Sequence, residues 1–360
     1  MKLKICIVFG TRPEIIKTYS VVKECIKRKI DFFTVHSNQH YSENMDKIFF
    51  DDLDLPQPDY NLNIGSGLHG NQTGKMLIAI EKILIEEKPT HVLVQGDTNT
   101  VLAAALAADK LQIKLGHIEA GLRSYNRRMP EETNRIVTDN ISDYLFAPTK
   151  KQERILLNEG IEESKIFVVG NTIVDAALAN KKKSIKEKGI LGNLNLEPKN
   201  YFLVTSHRSL NVDIKENLIN LIETLGSVAE KYNIPLVFPI HPRTRKKIKE
   251  FGINISKQVS LIEPLGFLQF ICLEINSKLI LTDSGGVQEE ACIFGIPCVT
   301  LRDETERPET VDVGANIIAG IGKDNVLNAV DKMLSKEISW NNPFGDGRTG
   351  KRIIELVSRS

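Results

Sequence analysis

The sequence is short of several things, and each shortage excludes a class of function. Net charge is almost absent: 47 Lys and Arg stand against 46 Asp and Glu, leaving +1. No global field therefore draws the chain to nucleic acid or to anionic membranes. Cysteine is sparse and dispersed, at Cys6, Cys25, Cys272, Cys292 and Cys298, with no C-x-x-C and no Cys/His cluster at metal spacing. That excludes a disulfide framework and a zinc finger, and reads as reduced thiols in a cytoplasmic protein. Long apolar runs are missing too. None approaches the roughly 20 residues of a membrane span, and the apolar part of MKLKICIVFGTR is too short for a signal peptide. G-x-x-x-x-G-K-[ST] does not occur, and the two G-x-G-x-x-G matches, at 65–70 and 345–350, do not directly follow a strand candidate, so a triphosphate on a P-loop and a dinucleotide in its usual fingerprint are not expected.

What is present is an ordinary folded composition, 41% hydrophobic and 26% charged. A chain of 360 residues exceeds what one core usually serves, so two domains are expected. Short apolar strands alternate with amphipathic helical stretches. The strand candidates are 4–10, 32–36, 91–96, 114–119, 144–148 and 165–170, then 201–206, 235–241, 259–264, 279–284, 297–302 and 315–320. The charged interval 171–198 between the two sets reads as a linker, and its basic run KKKSIKEKG as a solvated face. HVLVQGDTNTVLAAALAADKLQIKLGHIEAGLR and LILTDSGGVQEEACIFGIPCVTLRDETERPE repeat one order: strand, Asp corner, helix, strand, acidic loop, arginine. The fold class expected is α/β, with two Rossmann-like domains facing across a cleft. The expected boundaries are 1–170 and 171–347, with a helix over 348–360 packing back on the first domain.

The chemistry falls at strand ends. GTRPEIIK (10–17) brings Arg12 and Lys17 to a helix start, where the dipole disfavours cations, so an anion is implied; Pro13 alone would be an ordinary first-turn proline. In QGDTNT, Asp97 alone reads as a helix cap. HIEAGLRSYNRRMPEETNR changes that balance, because Glu119, Glu131 and Glu132 lie among Arg123, Arg127, Arg128 and Arg135. Carboxylates converging from separate loops can hold one proton between them, as acid–base chemistry at carbon requires. The competing reading makes Glu131 and Glu132 helix-dipole acids paired with arginines. TSHRSLN adds His207 and Arg208, and PIHPRTRKK adds His241 and Arg243, the latter pair read as mostly structural. In TDSGGVQEEA, Ser284, Gly285 and Gly286 open a helix as an anion cradle or merely a capped turn, and RDETERPE offers Arg302 and Arg307.

GTRPEIIK, QGDTNT, HIEAGLRS, MPEETNR, VVGNTIVDA, TSHR, TDSGGVQEEA and RDETERPE, in this order and spacing, make the chain resemble the non-hydrolysing UDP-N-acetylglucosamine 2-epimerases nearly end to end. The NQHYSENMDKIFFDDL and NIGSGLHGNQTGKML segments are most similar to archaeal members. The resemblance implies a cytoplasmic homodimer with two domains in the GT-B arrangement and no metal or redox cofactor. By motif it implies that Asp97, Glu119 and Glu131 move protons at the sugar and that His207 lies near the diphosphate. It further places Arg12 and Lys17 near the substrate, Ser284, Gly285 and Gly286 at the β-phosphate, Glu290 at the ribose, Phe270 at the uracil and Arg307 in the nucleotide site.

The implied reaction interconverts UDP-N-acetylglucosamine and UDP-N-acetylmannosamine through UDP and 2-acetamidoglucal, feeding a surface polysaccharide or other glycan. Two relatives of the reading stand beside it: a 2-epimerase of another UDP-2-acetamido sugar, which GTRPEIIK disfavours for the uronate branch, and a GT-B glycosyltransferase, which would not need three carboxylates. A catalytically silent nucleotide-sugar sensor would not keep them either. Bacterial members bind a second substrate molecule as activator through Q-H-x-x-M and an Arg before Gln-Thr. Here Gln39 and His40 are followed by Tyr41 and Ser42, and Asn71 precedes Gln72 and Thr73, so the resemblance does not carry substrate activation over. Leu265 replaces a polar residue common near the uracil.

Overall fold

The computed structural model describes residues 2–39, 50–51 and 53–359. The expected strands are all present within it. In the first half they are β1 (Lys4–Phe9), β2 (Asp31–His36), β4 (His91–Gln95), β5 (Lys114–Ile118), β6 (Tyr144–Ala147) and β7 (Ile166–Val168). A two-residue strand, β3 (Tyr60–Asn61), was not anticipated, because two residues carry no periodicity. The second half has β8 (Phe202–Thr205), β9 (Leu236–Pro239), β10 (Val259–Ile262), β11 (Leu279–Thr282), β12 (Cys298–Thr300) and β13 (Asn316–Ile318).

Two sheets result, both parallel throughout their described pairings. Their orders are β3-β2-β1-β4-β5-β6-β7 and β10-β9-β8-β11-β12-β13. Each is the Rossmann order, running outward one way from its first strand and then reversing. Strands of such sheets are covered on both faces and read as continuous apolar runs. KICIVF and LILT are accordingly buried almost throughout. Ladder register is set by these apolar runs, for example Ile5 beside His91 and Phe32, and Ile280 beside Leu203 and Cys298.

The chain divides into two compact units, Met1–Leu178 with Phe344–Ser360, and Ala179–Pro343. In the first, the Asn99–Lys110 helix uses alanine where it meets the sheet: Ala103, Ala104, Ala105, Ala107 and Ala108 are all fully buried. Small side chains let a helix sit close to its neighbours, since separation depends on the residues at the contact. In the second, Phe202, Val204, Phe238 and Leu281 fill one side of the sheet, and Tyr201, Leu203, Val237 and Ile280 fill the other.

The first unit is closed by chain that leaves and returns. Asp175 accepts hydrogen bonds from the backbone N–H groups of Thr349 (3.1 Å) and Gly350 (3.0 Å), capping the Thr349–Val357 helix from far away in sequence. A Cβ on Gly350 would lie 2.6 Å from the Ser20 carbonyl carbon and 2.7 Å from its oxygen. Gly350 is thus the point where this helix meets the Arg12–Arg28 helix. Gly350→Ala should lower stability by about 1–3 kcal/mol through overpacking, although Ala favours a helix. Chemical denaturation measures it, and an unchanged or raised midpoint would show that the contact yields.

Candidate functional site

In each unit the loops after the two central strands part from one another, because the strand order reverses between β1 and β4 and between β8 and β11. Ligands of open α/β sheets bind at this point, outside the carboxyl ends. Arg12, Lys17 and Asp97 follow those strands in the first unit, and His207 and Ser284 to Gly286 in the second, while Glu119 and Glu131 come after β5, Phe270 after β10 and Arg307 after β12.

In the first unit, Arg12 and Pro13 open the Arg12–Arg28 helix directly after β1, with Arg12 half-buried. Lys17 lies one turn on, buried, and its Nζ stands 2.7 Å from Glu119 Oε1. Glu119 follows β5; it is 6% exposed, and its other oxygen accepts a hydrogen bond from Gln95 Nε2 at the end of β4. Its φ of 73° lies in the left-handed region, which is costly for a residue with a Cβ and clusters at functional sites. Asp97 does not cap the Asn99–Lys110 helix; Thr98 does, accepting from the Val101 N–H. The Asp97 carboxylate instead takes a hydrogen bond from Arg135 Nη2, while its backbone carbonyl accepts from Asn134 (2.8 Å).

The competing reading of Glu131 and Glu132 holds for Glu132. It is buried, takes Arg135 Nη1 at 2.8 Å, and accepts from Ser124 (2.9 Å) and from the Tyr125 N–H (3.0 Å). Burial alone would raise its proton affinity, but these donors outweigh it and lower the pKa. Glu131 stays half-buried on the first turn of the Pro130–Ile141 helix. Arg123 belongs to the scaffold: buried, it holds Asp139 at 2.7 Å and grips Glu159. His117 completes that knot, with Nδ1 2.6 Å from Asp139 and Nε2 2.8 Å from the Gly96 carbonyl. The knot secures the ends of β4 and β5, where Asp97 and Glu119 emerge.

One acid in this unit was not singled out from the sequence. Glu14, 3% exposed, accepts hydrogen bonds from the Gly10 N–H, the Thr11 N–H (2.8 Å) and Thr98 Oγ1. It ties the loop after β1 to the loop after β4. The GTRPE motif displays it, but without tertiary contacts it reads as a first-turn acid. A Cβ at Gly10 would fall 2.1 Å from Thr100 Oγ1, so this crossing requires glycine.

In the second unit, Asp283 organises both loops. It is fully buried and accepts from Ser206 Oγ (2.6 Å), the backbone N–H of His207 (3.1 Å), the backbone N–H of Arg208 (3.0 Å) and Asn211 Nδ2 (3.0 Å). His207 Nδ1 lies 3.5 Å from the same carboxylate. His207 keeps 53% of its side chain exposed and is partly desolvated by its surroundings. That desolvation lowers its pKa, and the Asp283 charge opposes the shift. Asp283 appears in the TDSGG motif, yet its pull on a loop 76 residues earlier is a tertiary fact.

Ser284 occupies the N-cap of the Gly285–Phe294 helix, but no side chain takes the cap hydrogen bond. The first-turn N–H groups, including those of Gly285 and Gly286, are thus not taken up by the Ser284 side chain. Arg307 Nε pairs with buried Glu289 at 2.6 Å, and Arg302 grips Glu306 with two hydrogen bonds of 2.8 Å. Glu306 Oε2 lies 3.9 Å from where a Gly285 Cβ would be, which brings this loop to the helix start. Burial would raise Glu306, but Arg302 holds it down at about 2. Glu290 is buried one turn further along, and Phe270 is half-buried on the Phe267–Asn276 helix against the core. His241 is structural as expected, capping its helix by accepting from the Arg243 N–H (3.2 Å).

Of the activator segment, His40, Tyr41 and Ser42 lie outside the described residues. Gln39 Oε1 is engaged by Thr100 Oγ1 (2.9 Å), and Gln72 bonds to Gly65, Gln39 and Asn99. Both glutamines serve loop structure. Among the described residues no three His, Cys, Asp or Glu side chains group to hold a metal ion, and no helix is long and apolar enough to cross a membrane.

Comparison with known proteins gives a consistent result. A family model described as UDP-N-acetylglucosamine 2-epimerase matches residues 23–358. The UDP-N-acetylglucosamine 2-epimerase of Methanocaldococcus jannaschii is 57% identical over 99% of both chains. That of Methanococcus maripaludis is 58% identical over 98% of both. The crystal structure of the M. jannaschii enzyme in complex with UDP-GlcNAc and UDP superposes with a TM-score of 0.93, covering 99% of this chain and 100% of that one.

Glu14 yields a pH prediction. Burial pushes its carboxyl up to about 7, against the bonds from Thr98, Gly10 and Thr11, with Asp97 adding to the rise. A raised folded-state pKa means that the fold prefers the protonated acid. This contribution is complete below the unfolded value of 4.5 and is lost as pH rises through about 7. Glu14→Gln keeps one oxygen for the two N–H groups and removes the titration. Between pH 5 and 8 wild-type stability should fall relative to the variant by roughly 2–4 kcal/mol. Parallel urea-midpoint curves for the two proteins would refute the shift.

Proposed function

The chain belongs to the UDP-N-acetylglucosamine 2-epimerase family, and we propose that it interconverts UDP-N-acetylglucosamine and UDP-N-acetylmannosamine by inversion at C2 of the sugar. It is an isomerase of that family with two Rossmann-type units. The observation that carries the reading is its end-to-end match to a relative solved with UDP-GlcNAc and UDP.

The proposed reaction is an elimination followed by a re-addition. A carboxylate removes the C2 proton, the C–H electron pair becomes the second bond between C1 and C2, and the C1–O electrons leave with UDP. The products of this half-reaction are 2-acetamidoglucal, UDP and a protonated acid. Return of a proton to the opposite face of C2, with attack of UDP oxygen on C1, completes the inversion. No electrons are gained or lost overall, so the balance needs no redox partner.

The C2 hydrogen is only weakly acidic, so departure of the diphosphate must be assisted. The open first turn at Ser284, Gly285 and Gly286, with His207 and Arg307 nearby in the same unit, supports binding of that charge. Asp97, Glu119 and Glu131 are the proposed proton carriers. Glu119 best fits that role, being buried, backbone-strained and held by Lys17 and Gln95. Arg12 is assigned to the substrate, Glu290 to the ribose hydroxyls and Phe270 to the uracil. A homodimer in the cytoplasm, making precursor for a surface polysaccharide, belongs to the same proposal.

Incubation with UDP-N-acetylglucosamine in deuterated water should give UDP-N-acetylmannosamine labelled at C2, read by mass spectrometry and proton NMR. Unlabelled product, or release of UDP and free sugar alone, would defeat the elimination mechanism. Glu119→Gln and His207→Ala should each reduce kcat by about 10²–10⁴ while UDP still binds. Near-normal turnover in both would overturn the residue assignment.

A further inference from the structure

The second unit buries a carboxyl group that the reaction does not use. Glu274, on the Phe267–Asn276 helix, is 0% exposed, and neither of its oxygens receives an N–H or hydroxyl hydrogen bond. The charge that acts on it is another carboxyl group, Glu290, on the Gly285–Phe294 helix and itself 7% exposed. The helices on which the two acids ride pack together in one unit. Two buried acids acting on each other, one of them without any donor, do not both stay ionised; one carries a proton, which it can then donate to the other. Around Glu274 stand Tyr201 and Cys298, which burial keeps neutral, and no cation acts on it among the described residues.

Position decides which acid holds the proton. Glu274 sits in the last turn of its helix, where the carbonyl ends disfavour an anion. Glu290 lies two turns into a helix whose start is open, and it is the less buried of the pair. Burial and the neighbouring Glu290 carboxylate both push Glu274 far above the ordinary carboxylate range.

We propose that Glu274 is a positioning residue for nucleotide binding: its carboxyl O–H donates to Glu290 and holds that carboxylate in one rotamer to receive the vicinal ribose hydroxyls. The inference rests on the assignment of Glu290 to the ribose made above. A fixed carboxylate pays no rotamer entropy when the ribose arrives, and the neutral donor leaves its charge on the ligand's side.

Two measurements test it on the full-length protein, with UDP and 2′-deoxy-UDP as probes. Calorimetry on wild type, Glu274→Gln and Glu274→Leu gives the ratio of the two dissociation constants. Glu274→Gln still donates, so its UDP affinity should stay within about twofold of wild type. Glu274→Leu should weaken UDP by about tenfold, the order of one charge-assisted hydrogen bond, and 2′-deoxy-UDP much less. The ratio would then fall toward one. Equal weakening of both ligands, or an unchanged ratio in a folded Glu274→Leu protein, would overturn the role. If Glu274→Leu does not fold, infrared difference spectroscopy of wild type minus Glu274→Gln decides. A neutral carboxyl C=O band at pH 8 in wild type supports the proton on Glu274, and its absence overturns it. Wild type that binds both ligands equally would instead strike at the ribose assignment of Glu290, which separates the two failures.

Discussion

The constraint on which everything else rests is the reversal of strand order in a parallel sheet. Between β1 and β4, and between β8 and β11, successive crossovers depart in opposite directions. The loops after those strands therefore separate, leaving a recess lined with helix starts and strand ends. Backbone N–H groups there lack helical partners. The chain uses the recess twice, once for a set of buried acids with Lys17, and once for an uncapped helix start with arginines. The same geometry thus presents buried acids in one unit and open N–H donors with arginines in the other, according to the side chains it receives.

Such recesses need scaffolding, because Asp97, Glu119 and His207 hang on loops. Buried carboxylates supply it here. Asp139 gathers His117, Arg123 and the Gly121 N–H; Glu14 joins two loops; Asp283 gathers four donors from the loop after β8. A buried carboxylate is expensive unless every lone pair finds a donor. Once satisfied it restricts the loop to one arrangement, since any other would strand buried polar atoms. Glu274 is different in kind: its partner is another acid, and a proton rather than a donor group satisfies it.

The strands were legible because both faces of a parallel sheet are covered, which writes an unbroken apolar run into each one. Residues such as Ile5 to Phe9 and Leu279 to Thr282 announce themselves without knowledge of their neighbours. The motifs were legible because Gly, Pro, Arg and Asp at a strand–helix junction break local preference. Partners were not. Nothing near Arg123 points to Asp139 and Glu159, and nothing near Glu132 distinguishes its buried structural ties from the half-buried state of Glu131. Gln95 and Thr98 also looked like mere flanks of Asp97, yet each bonds to an acid in another loop.

By itself, then, the sequence determined the layer type, the order of strands and helices, and the junctions where chemistry collects, all properties of short-range pattern. The tertiary structure alone decided which acids are charged, which are tied and which share a proton. Those outcomes depend on burial and on donors brought from tens of residues away. Glu14, Glu119, Glu274 and Glu290 are the same type of residue in the sequence. Only their surroundings make one a loop tie, one a strained acid beside a lysine, and two a pair bridged by hydrogen.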